Sequence, residues 1–209
     1  MQLKYRPELD GLRAIACVAA ILYHAEFYTD INGSNFQISS GGFFGVDIFF
    51  VISGYLIAHI ILKKVHSNNF SFIEFFDRRA RRILPTLFFV LGVSIFVAWF
   101  FMMPNQMKDF AGSSLSTLVY ISNFWFLFED SYLADISRLK PLLHTWSLAV
   151  EEQFYIMLPL FLFFITTKFK NKTNIIIILI ILISFIYSII GSFKFIEANF
   201  YLLPSRLWE

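Results

Sequence analysis

Apolar residues in this chain come in long runs that few charges interrupt. A bilayer core takes about 20 apolar residues per helix. Residues 83–103 (ILPTLFFVLGVSIFVAWFFMM) and 174–193 (NIIIILIILISFIYSIIGSF) each fill that length without a charge. Residues 43–62 predict a third span, marked by Asp47 and His59, and residues 146–166 another, marked by Glu151 and Glu152. Residues 12–28 predict a short first span containing His24 and Glu26. Residues 110–128 are uncharged but rich in Ser, and either cross the membrane or lie at its surface. The pattern predicts an all-α polytopic transmembrane helix bundle of five to six spans, without internal repeat or soluble domain.

Charge sets the topology. Lys4 and Arg6 ahead of an apolar run suggest a signal peptide, but His24, Glu26 and Asp30 fall where a small-residue cleavage site belongs, so the first span is expected to be retained. Residues 14–62 hold no Lys or Arg, whereas the loop at 63–82 holds Lys63, Lys64, Arg78, Arg79, Arg81 and Arg82. The positive-inside rule places that loop and the N-terminus in the cytoplasm and the 28–42 loop outside. Lys168, Lys170 and Lys172 then obey the rule only if 110–128 does not cross the membrane.

Composition narrows the class. Hydrophobic residues make up 57% of the 209 and charged residues 15%, against about 25% charged in soluble domains. This excludes a disordered chain, a coiled coil and an ordinary cytosolic enzyme. A net charge of +2 gives no reason to expect nucleic acid. A lone cysteine, Cys17, excludes an internal disulfide and a Cys-cluster metal site, and small hydrophobic packing is its expected role. The four His (24, 59, 66 and 144) lack metal-ligand spacing, and no Walker A, GxGxxG or GxSxG element is present.

Ionisable groups inside a membrane are costly, so each is a candidate for function, with polar lining of the helical interior as the alternative. Arg13 and His24 are eleven residues apart, which puts them on one helix face about 16 Å apart along the axis. Asp10 can pair with Arg13, and a neutral His can take a proton from a hydroxyl. Arg78, Arg79, Arg81 and Arg82 can fork onto phosphate oxygens, or serve as positive-inside anchors. Glu151 and Glu152 sit early in a helix, where carboxylates gain from its dipole, and Tyr155 lies one turn on. Gly41, Gly42 and Gly45 permit close backbone approach. Asp47 beyond them can bind an acceptor or cap its helix.

Read in order, these stretches resemble the acyltransferase 3 family of integral membrane proteins. The resemblance runs through Tyr5-Arg6-Pro7-Glu8-Leu9-Asp10-Gly11-Leu12-Arg13-Ala14, His24, Gly41–Asp47 and Phe49–Ile57, which includes Ser53-Gly54-Tyr55. It continues through Arg78–Arg82 with Ile83-Leu84-Pro85, and His144-Thr145-Trp146-Ser147-Leu148-Ala149-Val150-Glu151-Glu152-Gln153-Phe154-Tyr155. It implies an O-acyltransferase of the bacterial inner membrane that moves an acetyl group from cytoplasmic acetyl-CoA, its donor substrate, to a glycan hydroxyl. Lipopolysaccharide O-antigen, exopolysaccharide and peptidoglycan-like glycans are the implied acceptors. By the same resemblance His24 is the essential His and Arg13 its partner Arg. Arg79 and Arg82 match the family's Arg-x-x-Arg element, with Arg78 and Arg81 in a second register, and Glu151 or Glu152 matches the family acid. Asp47, Ser53 and Tyr155 are expected around the acceptor cavity. The family uses about ten spans, so residues 1–209 are expected to be the N-terminal part of such a domain. Two other functions suit the same charges: a proton-coupled transporter, although no inverted repeat is evident, and an inactive truncated fragment acting as a scaffold.

Overall fold

The computed structural model describes residues 6–31, 34–37, 39–67, 69–129 and 140–209. Lys4 and Tyr5, used above, lie outside the described residues, as do the side chains of Asp30 and His66. The chain divides into two units, one ending at His59 (with Glu209) and one running from Ile60 to Trp208.

In the first unit, α1 (Pro7–His24) opens with Pro at its start and Glu8 and Asp10 in its first turn, where proline geometry and carboxylate charge both suit a helix N-terminus. It ends as Glu26 adopts a left-handed φ of 51°. The first span expected over 12–28 is therefore shorter than drawn. Its uncharged stretch, Ala14–Tyr23, covers about 15 Å at 1.5 Å per residue, roughly half a hydrocarbon core. Strands β1 (Tyr28–Ile31) and β2 (Ser34–Gln37) pair antiparallel, Tyr28 opposite Gln37. The Gln37 Nε2 donates to the Tyr23 carbonyl at 2.8 Å, tying this hairpin to the end of α1. Two glycines around the start of α2 (Phe44–His66) fit against α1: a Cβ on Gly42 would strike the Ala19 carbonyl oxygen, and one on Gly45 would lie 2.5 Å from that of Ala16. Ala16 is wholly buried. These glycines serve helix contact through the backbone, the small-residue device of membrane helices.

In the second unit, α3 (Phe72–Phe101) is 30 residues long, about 45 Å. It starts eleven residues earlier than the span expected from 83, so Arg78–Arg82 lie in its first turns and not in a loop. Ser71 caps it by accepting from the Glu74 backbone N–H at 3.4 Å, and Glu74 joins Lys64 of α2 at 3.3 Å. The apolar run at 110–128 is two helices, α4 (Pro104–Leu118) and α5 (Ser122–Glu129). Tyr120, with φ of 56°, breaks them apart. At 15 and 8 residues neither can cross a bilayer. The hydroxyls of Ser113, Ser114, Ser116 and Thr117 turn back onto carbonyls of α4 at 2.7–2.9 Å. The Ser content thus belongs to a buried helix–helix contact. Then follow α6 (Thr145–Lys168), a 3₁₀ turn at Lys170–Lys172, α7 (Thr173–Lys194), α8 (Ile196–Tyr201) and a second 3₁₀ turn at Leu203–Ser205.

Among the described residues four helices are long and apolar enough to cross a membrane: α2, α3, α6 and α7, the last counted with the turn before it. The described residues thus show four of the five to six spans expected. The all-α class holds, with the single hairpin as its only described strands. Large apolar side chains such as Phe89 (72% exposed), Trp99 (75%) and Ile183 (65%) cover the outer faces of α3 and α7, as lipid contact requires.

Helices α3 and α6 run antiparallel. Phe72 meets Phe163 with ring centroids 5.8 Å apart, and seven residues further along α3, Arg79 meets Tyr155. The start of α3 and the end of α6 are therefore on one side, and Lys168–Lys172 share a side with Arg78–Arg82. A buried polar network ties α6 to α5 and α8. Gln153 Nε2 donates to the Tyr120 carbonyl and to Asn123 Oδ1, both at 2.9 Å. Asn123 Nδ2 donates to the Tyr201 carbonyl at 3.1 Å, and Ser122 Oγ to the Thr145 carbonyl at 2.9 Å.

Two outcomes follow for stability. Gly42→Ala destabilises the protein by about 1–3 kcal/mol through overpacking, whereas Gly41→Ala, whose Cβ would meet nothing within 4 Å, is neutral. Denaturant titration in detergent separates the two. By the same measurement Asn123→Leu costs about 1–3 kcal/mol, because Gln153 and the Tyr201 carbonyl lose their buried partner.

Candidate functional site

The expected site residues fall into two groups, one in each unit. In the first unit Arg13 and His24 lie on the same uninterrupted helix, α1, with His24 in its last turn. Arg13 Nη1 reaches Asp10 Oδ1 at 3.4 Å, one turn back, which is the pairing their spacing suggests. The His24 imidazole packs edge-on to Tyr23, ring centroids 5.0 Å apart. Asp47 lies in the first turn of α2, where the helix dipole stabilises a carboxylate. Ser53 is half-buried on the same helix. Cys17 is exposed, contrary to the packing role expected for it.

Sequence reasoning gave Arg6 no role beyond its charge. Its Nη1 donates to the Tyr55 hydroxyl at 2.9 Å, and its guanidinium also lies 5.8 Å from the centre of that ring. The contact joins the first motif to the Ser53-Gly54-Tyr55 motif within this unit. Only a fold can reveal a pairing across 49 residues.

In the second unit the four arginines separate by face. Arg78 pairs with Glu74, and Arg81 Nε meets both oxygens of Asp77 at 3.0 Å, each one turn away on the exposed side of α3. The i, i+4 spacing of those acids was readable in the sequence. Arg79 turns inward and half-buries its side chain. Its guanidinium carbon stands 4.4 Å above the centre of the Tyr155 ring and 5.8 Å from that of Phe75, a geometry in which cation and π-face attract. Arg82 is exposed, three residues on from Arg79.

Tyr155 is only 2% exposed. Its hydroxyl donates to Glu151 Oε1 one turn back along α6. Glu152 feels the charges of both Glu151 and Arg79, and its buried Oε1 has no hydrogen-bond partner among the described residues. The two glutamates, indistinguishable in sequence, therefore differ: one carboxylate is engaged by tyrosine and the other keeps an unsatisfied oxygen. Their neighbour Gln153 belongs to the polar network on α5 and α8. Trp146, from the same motif, is 3% exposed and packs on Phe200 and Tyr201, with the Arg206 guanidinium 5.5 Å from its ring centre. Gln153 and Arg206 are the residues that motif reading left without a role.

The sequence matches a known family, described as Acyltransferase domain, over residues 6–208. It is 41% identical over 170 residues to the peptidoglycan O-acetyltransferase OatA of Listeria monocytogenes, covering 80% of this chain and 26% of that protein. It is 36% identical over 173 residues to the O-acetyltransferase OatA of Staphylococcus aureus, covering 82% of this chain and 27% of that one. The chain thus spans about a quarter of the length of the curated relatives it matches. No solved structure matches it. With apolar helices suited to a bilayer and a family match along almost all its length, this multi-pass membrane protein belongs to the acyltransferase 3 family.

Proposed function

We propose that this chain serves a membrane O-acetyltransferase that moves acetyl from cytoplasmic acetyl-CoA to a hydroxyl of a cell-wall glycan of the peptidoglycan class. The reading rests above all on Arg79, an arginine held on an aromatic and acidic support at the most basic side of the second unit. Acetyl-CoA carries a pyrophosphate and a 3′-phosphate. Arg82, and Arg79 one turn before it, form the pair that binds them, since Arg78 and Arg81 already have carboxylate partners. Tyr155 and Glu151 position Arg79, and Glu152 offers its unsatisfied oxygen to a substrate N–H or O–H. The side bearing these arginines and Lys168–Lys172 is cytoplasmic by the positive-inside rule, in the bacterial inner membrane.

In the transfer, the acceptor oxygen bonds to the acetyl carbonyl carbon and the thioester C–S bond breaks. The hydroxyl proton passes to the His24 imidazole, and the sulfur leaves as the CoA thiolate. Asp10 holds Arg13 on the face of α1 that His24 shares. The peptidoglycan class of acceptor comes from the name of the Listeria relative, which gives lipopolysaccharide no comparable support.

Acetyl transfer from labelled acetyl-CoA to peptidoglycan fragments, measured with the protein in detergent, tests the reading. His24→Ala lowers kcat by about 100-fold or more and leaves the KM for acetyl-CoA near its original value. Arg79→Ala raises that KM about tenfold, the loss expected for charge-assisted bonds to phosphate, whereas Arg81→Ala leaves it unchanged. Undiminished turnover in His24→Ala would remove that residue from the chemistry, and equal effects at Arg79 and Arg81 would reduce the cluster to an anchor.

A further inference from the structure

The second unit contains a cavity of about 290 Å³ where α3 ends and α4 begins, at the lower limit of the size of small-molecule sites. Its floor is apolar, from Phe110 and Phe126, which are 5% and 1% exposed. One wall is an ion pair, Glu129 with Lys140 Nζ at 3.2 Å, both side chains largely buried. Phe101, 82% exposed, and the exposed carboxylate of Asp109 stand at its mouth.

Position and charge together select the ligand. Phe101 is 22 residues from Arg79 on one continuous helix, about 33 Å along the axis and close to the hydrocarbon thickness of about 30 Å. The cavity therefore lies one membrane thickness from the arginines. Two carboxylates against one ammonium leave it net negative, which disfavours the phosphate of a lipid headgroup or of CoA. An apolar floor, an exposed aromatic ring and an exposed carboxylate suit a neutral polyhydroxylated ring. Such a ring has C–H groups to lay on Phe101 and hydroxyls to donate to Asp109.

We propose that this cavity is a glycan subsite, holding a neutral pyranose ring of the acceptor on the face opposite the arginine cluster. The assignment rests on the preceding reading that the acceptor is a cell-wall glycan. Asp109 accepts hydrogen bonds from ring hydroxyls, and Phe101 covers the ring's apolar face. The Glu129–Lys140 pair supplies one acceptor and one donor at the wall.

Equilibrium dialysis of labelled chitotetraose, a neutral N-acetylglucosamine oligomer, against the protein in detergent without any acyl donor tests this. Saturable binding is expected, weakened about tenfold in Asp109→Ala and in Phe101→Ala. Both side chains are exposed, so folding is preserved. Ile73→Ala, at the far end of α3, binds as the unmodified protein does. No saturable binding, or an affinity in the Asp109 and Phe101 variants equal to that of the unmodified protein, would overturn the subsite. Because no donor is present, a failure to transfer acetyl bears on the acyltransferase reading alone, and unaltered binding in these variants bears on the subsite alone.

Discussion

A guanidinium turned inward on a membrane helix persists only where protein groups replace the water it has lost. Arg79 meets that condition through the Tyr155 ring, and Tyr155 in turn is held through its hydroxyl by Glu151. This three-residue contact ties α3 to α6. With the Phe72–Phe163 contact, it sets the two helices antiparallel.

The arrangement has a consequence for topology. Because α4 and α5 are too short to cross, among the described residues α3 alone leads away from the arginine-rich segment before α6 returns to the lysine-rich one. Parity then puts Arg78–Arg82 and Lys168–Lys172 on one side, and the conflict posed by the positive-inside rule disappears. In the same unit, amide and hydroxyl bonds around Asn123, Gln153 and Thr145 join α6 to α4 and α5. Those groups are uncharged, so they can be buried at modest cost once every partner is supplied.

Much of this was legible in the sequence where local physics decides. The uncharged runs of α3 and α7 announce membrane helices, and the three-residue spacing of Asp10 and Arg13 announces their pair. The early start of α3 was also legible, because Ser71 followed by Glu74 is a helix-capping pattern. The charge density of residues 74–82 made that stretch look like a loop instead. The break at Tyr120 was not legible: no Gly or Pro marks it, and its left-handed backbone is fixed by Gln153, 33 residues away. The difference between Glu151 and Glu152 likewise needed the tyrosine hydroxyl one turn on and the arginine on another helix. Sequence periodicity registers the first of these and not the second.

Side-specific labelling tests the shared side of the two basic segments most directly. In a Cys17→Ala background, Ser67→Cys, Asn105→Cys and Asn171→Cys are each exposed to a membrane-impermeant maleimide in intact cells and in inverted vesicles. Positions 67 and 171 are expected to label only from the cytoplasmic side and position 105 only from the opposite side. Labelling of 171 from the same side as 105 would mean that the 110–128 segment crosses the membrane, and would contradict the arrangement on which the donor site is built.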